Sequence, residues 1–541
     1  HRGRFLRGDR VSTGRDVVRA TGLVAGITLI SKVTGFARTL VLADVYGATC
    51  VTDSYVAATV YPNVLFAGLN SALATSFIPL YTEVRERDSR EAAFRFANIV
   101  LSTLFLALLL LLAAGFATAL PVLPLYAPGF VSRVCLARPE ITLTLELTWI
   151  MLPALLFIAL AGVQAGILQA ERRFGPSAAV GIPQNLLLIL TIVLLASRWS
   201  IFAAALGSFL GGVSYVVVQG IALRQIGFRF HPLLDFGHPD LRRMGRMILP
   251  VFLSTFVAQA GYIVDRLLAS SLKSGSLSDL NYALLVNGLL LSLFVTALVT
   301  VLYPTLSRFI AQGDRQGFLS AVRRSLGVLT LVTVPVAAAV VVLADPFVRV
   351  VFQRGAFTAE ATAGTAFALV FLGLGLIASA GGALLPRAFF ALKDTRTPTM
   401  YAFISVAVNI VADLLLVHPL KQGGLALGTS IAQWVFAGVM LWRLRQRMGP
   451  LGGTALLRTV GKALLGGAVM AAVLYLGYHA TIGLVPRGGH VVWWEGADLL
   501  LVGLAGAAAY AAVLWRLGPE EVVYLRQVAG QGWRRILRPG S

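Results

Sequence analysis

Tyr401-Ala-Phe-Ile-Ser-Val-Ala-Val-Asn409-Ile-Val-Ala-Asp413-Leu-Leu-Leu-Val417 is long and apolar enough to cross a bilayer, apart from two polar residues one helical turn apart. A second apolar stretch, Ala20 to Ala43, holds Lys32 and Arg38. Ionisable groups in a membrane span cost roughly 2.5 to 3.5 kcal/mol each on insertion scales, so their default meaning is an ion site or a transport pathway. Composition agrees with a polytopic, all-α membrane protein. With 57% hydrophobic and 13% charged residues over 541 positions, and mean hydropathy +0.81, the chain is more apolar than a soluble core of this size can bury. Apolar runs of about 20 residues, the length that crosses about 30 Å of hydrocarbon, number about fourteen, centred near residues 31, 68, 107, 155, 187, 211, 259, 293, 333, 374, 408, 434, 468 and 505.

The net charge of +21 has a distribution that argues against nucleic-acid binding. If both termini are cytoplasmic, 34 of the 45 Lys and Arg fall on the inner side, eight outside and three within spans. That is the positive-inside pattern for an even number of spans, with the basic excess facing anionic membrane lipid. The first span follows a tail of six arginines and lacks a small-residue cleavage site, so it reads as retained. Cys50 and Cys135 both fall in expected external loops, where a disulfide is one outcome and two free thiols the other.

Two segments repeat. Ala72-Leu-Ala-Thr-Ser-Phe-Ile-Pro79 returns as Ala297-Leu-Val-Thr-Val-Leu-Tyr-Pro304, and Gln169-Ala-Glu-Arg-Arg-Phe-Gly-Pro176 as Ala391-Leu-Lys-Asp-Thr-Arg-Thr-Pro398, at offsets of 225 and 222. Two matches at nearly one offset point to a duplication of six spans, an even number that keeps the halves parallel. The expected domains are a basic tail (1–19), two six-helix lobes (20–225 and 226–450) and a C-terminal helix pair with its own basic tail (451–541). Two such lobes are the usual frame for alternating access.

Several strings carry a resemblance: Ile30-Ser-Lys-Val-Thr-Gly-Phe-Ala-Arg38, Tyr46-Gly-Ala, Thr52-Asp53-Ser-Tyr, Phe77-Ile-Pro-Leu-Tyr-Thr-Glu83, Phe352-Gln-Arg-Gly-Ala-Phe357 and Phe390-Ala-Leu-Lys-Asp-Thr-Arg-Thr-Pro398. From about residue 20 to 450 the chain resembles the MurJ (MviN) lipid II flippases of the MOP exporter superfamily. The resemblance implies fourteen spans in two lobes plus a terminal pair, a bacterial inner-membrane location, and lipid II, a polyprenyl pyrophosphate bearing a sugar-peptide head, as cargo. It also implies a groove for the lipid tail near the last two spans. A monomer is expected, with no cofactor beyond a possible Na⁺.

A pyrophosphate leaving water needs charge-assisted donors, and cationic side chains supply them. Lys32 and Arg38 match basic positions that the family uses in its cavity. They lie roughly 240° apart on a straight helix, and Gly35 between them permits a bend that would bring both inward; the competing reading is a side chain that snorkels to the interface. Asp53 matches a family acidic position and is expected either to pair with Arg38 in one state or to act as an N-cap. The chain departs from the family at Pro62-Asn-Val-Leu-Phe-Ala-Gly-Leu-Asn70 and at Tyr282-Ala-Leu-Leu-Val-Asn287, where arginines are common in other members. Asn70 and Asn287 are the polar residues left there, suited to a sugar-peptide head or to bridging helices. Asp265, Asn409, Asp413 and Thr429 resemble a sodium site of some members: their oxygens suit a hard cation, and Asn409 and Asp413 share a helix face. An internal pair between Asp265 and Arg266 is the alternative.

Catalysis finds little support. No G-x-x-x-x-G-K-[ST] loop is present, the six histidines form no H-E-x-x-H pair, and the longest external loop, about Pro121 to Ile141, has Glu140 as its one acid. The competing functions are another exporter of the same superfamily, for polysaccharide lipids or drugs, and a polytopic polyprenyl-sugar glycosyltransferase.

Overall fold

A computed structural model describes residues 14–481 and 491–518. The expected basic tails therefore lie largely outside the described residues. Sixteen α-helices fill the described chain: α1 (Gly14–Tyr46), α2 (Cys50–Arg87), α3 (Arg90–Tyr126), α4 (Glu140–Ala170), α5 (Phe174–Ala179), α6 (Gly181–Trp199), α7 (Phe202–Gln225), α8 (Pro239–Ala258), α9 (Ala260–Ser270), α10 (Ser276–Leu291), α11 (Ala297–Ala311), α12 (Arg315–Phe352), α13 (Ala359–Ala391), α14 (Arg396–Met448), α15 (Gly453–Thr481) and α16 (Val491–Leu517). The strand content described is one small antiparallel pair, Val134–Cys135 with Arg138–Pro139. Among the described residues, eleven helical stretches are long and apolar enough to cross a membrane, and α2 is not one of them. Other differences from the expected count of about fourteen fall where spans and helices do not coincide. Two expected spans share α14, which breaks at Lys421 (φ 49°, ψ −129°) beside Pro419. The seventh divides into α8 and α9 around Gln259, and the eighth contains a π-turn, Ser292–Thr296, between α10 and α11.

The helices sort into two compact units. The first comprises residues up to Val45, Ala57–Leu125 and Val131–Gln259; the second comprises Tyr46–Val56, Tyr126–Phe130 and residues from Ala260 onward. The division falls near residue 259 and not at 225. Ion pairs from the start of α8 account for this: Asp240 holds Arg87 at 3.0 Å, Arg243 holds Glu83 at 2.8 Å, and the His238 ring lies 5.6 Å from Phe96.

Inside the first unit, glycines set the helix spacing. A Cβ on Gly212 of α7 would lie 2.9 Å from the Ala154 Cβ and 2.8 Å from its carbonyl oxygen on α4, and one on Gly166 of α4 would lie 2.7 Å from the Phe77 ring of α2. Close backbone approach is the main packing device where the surrounding lipid is as apolar as the helices. In the second unit, Phe318, Val322, Leu384, Phe389 and Met440 centre a core among α11 to α14, and Leu331, Val334, Met470 and Leu474 pack α15 and α16 on α12. The Tyr510 hydroxyl of α16 donates to the Leu331 carbonyl at 2.9 Å.

The second repeat has a geometric counterpart. The turn after α4 places Arg172 at φ 59°, with Arg173 N donating to Leu168 O and Arg172 N to Gln169 O; the turn after α13 places Lys393 at φ 59°, with Asp394 N donating to Phe389 O and Lys393 N to Phe390 O. Both are Schellman ends with a basic residue in the left-handed position.

Gly212→Val should separate α4 from α7 and cost about 1–3 kcal/mol, read as a lower thermal midpoint of the detergent-solubilised protein. An unchanged midpoint would contradict this close approach.

Candidate functional site

In the second unit α9 and α14 bring polar side chains together. Asn409 Nδ2 donates to Asp413 Oδ2 at 2.8 Å across one helical turn. Asp413 is fully buried, and its carboxyl lies within hydrogen-bonding reach of that of Asp265. Oδ1 of each acid has no hydrogen-bond donor among the described residues. Room for these groups comes from two glycines. A Cβ on Gly428 would fall 2.0 Å from Asp413 Oδ1, and one on Gly261 would fall 3.1 Å from Asn409 Oδ1. Thr429, next to Gly428, donates its hydroxyl to Leu425 O at 3.1 Å and keeps its oxygen lone pairs.

Arg266 is not a bonded partner of Asp265. It is buried, stacks 4.6 Å over the Tyr262 ring, and has no hydrogen bond at Nε or Nη1 among the described residues, acting on Asp265 through space alone. With both acids ionised, the pair and Arg266 together carry a single negative charge, which one monovalent cation or one proton neutralises. The donors are oxygens, which suit a hard cation. No cluster of three or more His, Cys, Asp or Glu side chains that would hold a metal occurs among the described residues.

The first unit holds the cationic residues. Lys32 is exposed and Arg38 half-buried on α1, and neither makes an ion pair or a side-chain hydrogen bond among the described residues. The expected bend at Gly35 is not what that glycine supplies. α1 runs unbroken through it, and a Cβ there would meet Asn185 Nδ2 of α6 at 3.3 Å. Asn185 in turn donates to Ser31 O at 3.2 Å and to Thr34 Oγ1 at 3.3 Å, so the residues around Lys32 are clamped to α6.

Asp53 has a different partner from either expected one. It is fully buried in the second unit, where Oδ2 accepts from Gly275 N at 2.7 Å and Oδ1 from Ser278 N at 2.8 Å and Ser278 Oγ at 2.6 Å. It caps α10, not its own helix. Both carboxylate oxygens are engaged there, so in this structure they serve helix packing. Asn287 on α10 is half-buried, with Oδ1 lacking a donor among the described residues; the side chain of Asn70 lies outside the described residues.

The recognisable strings meet around that cap. Tyr282 donates to Gly47 O at 3.2 Å and its ring packs against Phe352 and Phe357 at 5.6 and 5.5 Å. Gly47 sits at φ 65°, and a Cβ there would be 2.2 Å from Ala356 O. These contacts went unread in the sequence. Neither Cys50 nor Cys135 is a free thiol; both are disulfide-bonded.

The second unit also encloses a cavity of about 930 Å³ between α10, α12, α15 and α16, walled by apolar residues such as Leu343, Phe347, Met470 and Leu500, with Arg354 its one charged lining residue. These features belong to an all-helical, multispan membrane protein.

The comparisons with known proteins narrow this class. The family model for lipid II flippase MurJ matches residues 42–486. A probable lipid II flippase MurJ of Rhizobium meliloti (strain 1021) is 31% identical over 95% of this chain and 97% of its own length, and the lipid II flippase MurJ of Burkholderia cenocepacia is 28% identical over 80% and 84%. The chain belongs to the lipid II flippase MurJ family. Its fold is like that of a lipid II flippase MurJ in an inward closed conformation (TM-score 0.75, 23% identity, 91% of this chain and 99% of that one). It is also like an inward-facing multidrug resistance MATE family transporter of the MOP superfamily (TM-score 0.66, 14% identity, 80% and 99%).

Asp53→Ala should leave the first amides of α10 buried without an acceptor, at about 1–3 kcal/mol. The expected readout is a lower thermal midpoint, with Asp53→Asn recovering part of the loss; a wild-type midpoint for the alanine variant would refute the cap.

Proposed function

We propose that this protein moves lipid II from the inner to the outer leaflet of the bacterial inner membrane by alternating access. The observation that carries the reading is family membership across residues 42–486. The residues suit the cargo. Lys32 and Arg38 are cations without an internal partner among the described residues, which leaves their donors free for a pyrophosphate. Asn287 offers an amide oxygen without a donor among the described residues, suited to the sugar-peptide head. The apolar cavity along α12 and α16 suits the polyprenyl tail. Both termini face the cytoplasm on the distribution of Lys and Arg, and a monomer suffices.

Asp265, Asn409 and Asp413 hold Na⁺, with Thr429 adding a hydroxyl oxygen. Support comes from the two buried Oδ1 atoms, which have no donor among the described residues. A bound cation offsets the burial of two acids. The gradient of that ion, or the membrane potential at about 2.3 kcal/mol per charge per 100 mV, supplies the driving force.

Arg38→Ala should reduce lipid II exposure in a reconstituted flipping assay about tenfold or more, as loss of a charge-assisted contact gives, with expression unchanged; normal flipping would remove Arg38 from the cargo path. Separately, Na⁺ should raise the thermal midpoint of the wild type and leave that of Asp413→Ala unmoved. Equal Na⁺ stabilisation of both proteins would disprove the cation site.

A further inference from the structure

In the first unit α3, α4 and α7 surround a second cavity, of about 970 Å³, closed at one end by the segment after α7. Its walls are apolar, among them Leu101 and Phe105 of α3, Leu160 of α4, and Val217 and Ile221 of α7. Three cationic or protonatable residues, Arg224, Arg229 and His231, line the end where the basic residues of the chain collect. None of these three side chains makes an ion pair or hydrogen bond among the described residues.

The closing segment is built for its place. Gly227 (φ 86°) ends α7 in a Schellman turn, with Phe228 N donating to Leu223 O at 3.0 Å and Gly227 N to Arg224 O at 3.1 Å, so the last carbonyls of α7 make no demand on the Arg224 guanidinium. The chain then runs back along α3. His231 N donates to Asn98 Oδ1 at 3.1 Å, Asn98 Nδ2 to Arg229 O at 3.2 Å, and Leu233 N to Ser102 Oγ at 3.0 Å. Phe228 packs edge-on against Phe94 at 5.3 Å. Asn98 and Ser102 lie two to three turns into a membrane-spanning helix, so this non-helical backbone sits beside the apolar wall with its polar groups met by side chains. Phe230, Leu234 and Phe236 remain 54%, 55% and 57% exposed and extend the apolar surface outward. One turn from Arg224 on α7, Gly220 faces Gln164, whose Nε2 would lie 3.8 Å from a Cβ there, so the cavity keeps its width at this point.

The geometry points to one occupant: an anionic phospholipid. The phosphate lies on Arg224, Arg229 and His231, and the acyl chains follow the walls of α3, α4 and α7. Water finds too few polar partners along these walls. A zwitterionic lipid brings its own cation to a site already rich in them. Basic pockets between membrane helices are suited to anionic headgroups in this way. The site involves neither Lys32 nor Arg38 and does not depend on the proposed cargo.

The test uses the full-length protein in neutral detergent, titrated with phosphatidylglycerol, phosphatidylethanolamine or inorganic phosphate while the thermal midpoint is followed. Phosphatidylglycerol alone should raise the midpoint, saturably. The double variant Arg224→Ala/Arg229→Ala, altered at exposed positions, should keep the lipid-free midpoint and bind phosphatidylglycerol about tenfold or more weakly, as loss of charge-assisted contacts gives; Arg224→Lys/Arg229→Lys should recover most of it. Gly220→Phe fills the cavity without touching a charge and should abolish the shift. The proposal fails if phosphatidylethanolamine acts equally, if inorganic phosphate alone reproduces the shift, or if either the double alanine variant or Gly220→Phe retains wild-type affinity.

Discussion

Hydrocarbon offers no hydrogen bond, so every polar group that this chain carries into the membrane has to find its partner within the chain. The helices answer this for the backbone, and hydroxyls answer it locally: Thr330 and Thr333 of α12 each donate to the carbonyl four residues back, at 2.8 Å. Where a helix begins inside the protein, a side chain from elsewhere has to serve. Asp53 does so for α10, giving both carboxylate oxygens to the Gly275 and Ser278 amides and the Ser278 hydroxyl. The segment after α7 follows the same logic with Asn98 and Ser102.

That constraint separates packing polarity from functional polarity. Asp53 is buried and fully engaged, and the strings around it are held by Gly47, Tyr282, Phe352 and Phe357. Asp413 is buried and Asp265 half-buried, each with one oxygen left without a donor among the described residues, and Gly428 makes room for the Asp413 carboxylate. A polar group left unmet in low dielectric is costly. The satisfied ones mark the scaffold, and the proposed cation site rests on the costly ones.

Much of this was legible in the sequence because membrane spans announce themselves by length and apolarity. The i, i+4 pair Asn409 and Asp413 followed from helix geometry, and it forms. Asp265 reached that pair through family resemblance alone, since nothing local to α9 names a partner on α14. Arg266 illustrates the limit: adjacency in sequence suggested an ion pair, whereas the guanidinium stacks on Tyr262. Gly35 was read as a hinge, but a helical glycine also serves close approach, and only the position of Asn185 distinguishes the two. The seventh span read as one run because hydropathy is blind to the break at Gln259.

By itself the sequence determined the class of fold, the crowding of basic residues on one side and which residue types suit an anionic cargo and a hard cation, because partition into lipid depends on composition and local period. Its strings also carried the family. Tertiary structure decided which carboxylate caps a helix, where the units divide, and which cavity is lined by a single charged residue and which ends in several basic ones. Those outcomes depend on groups hundreds of residues apart, such as Asp53 and Ser278, meeting at hydrogen-bond distance, and no local pattern encodes such a meeting.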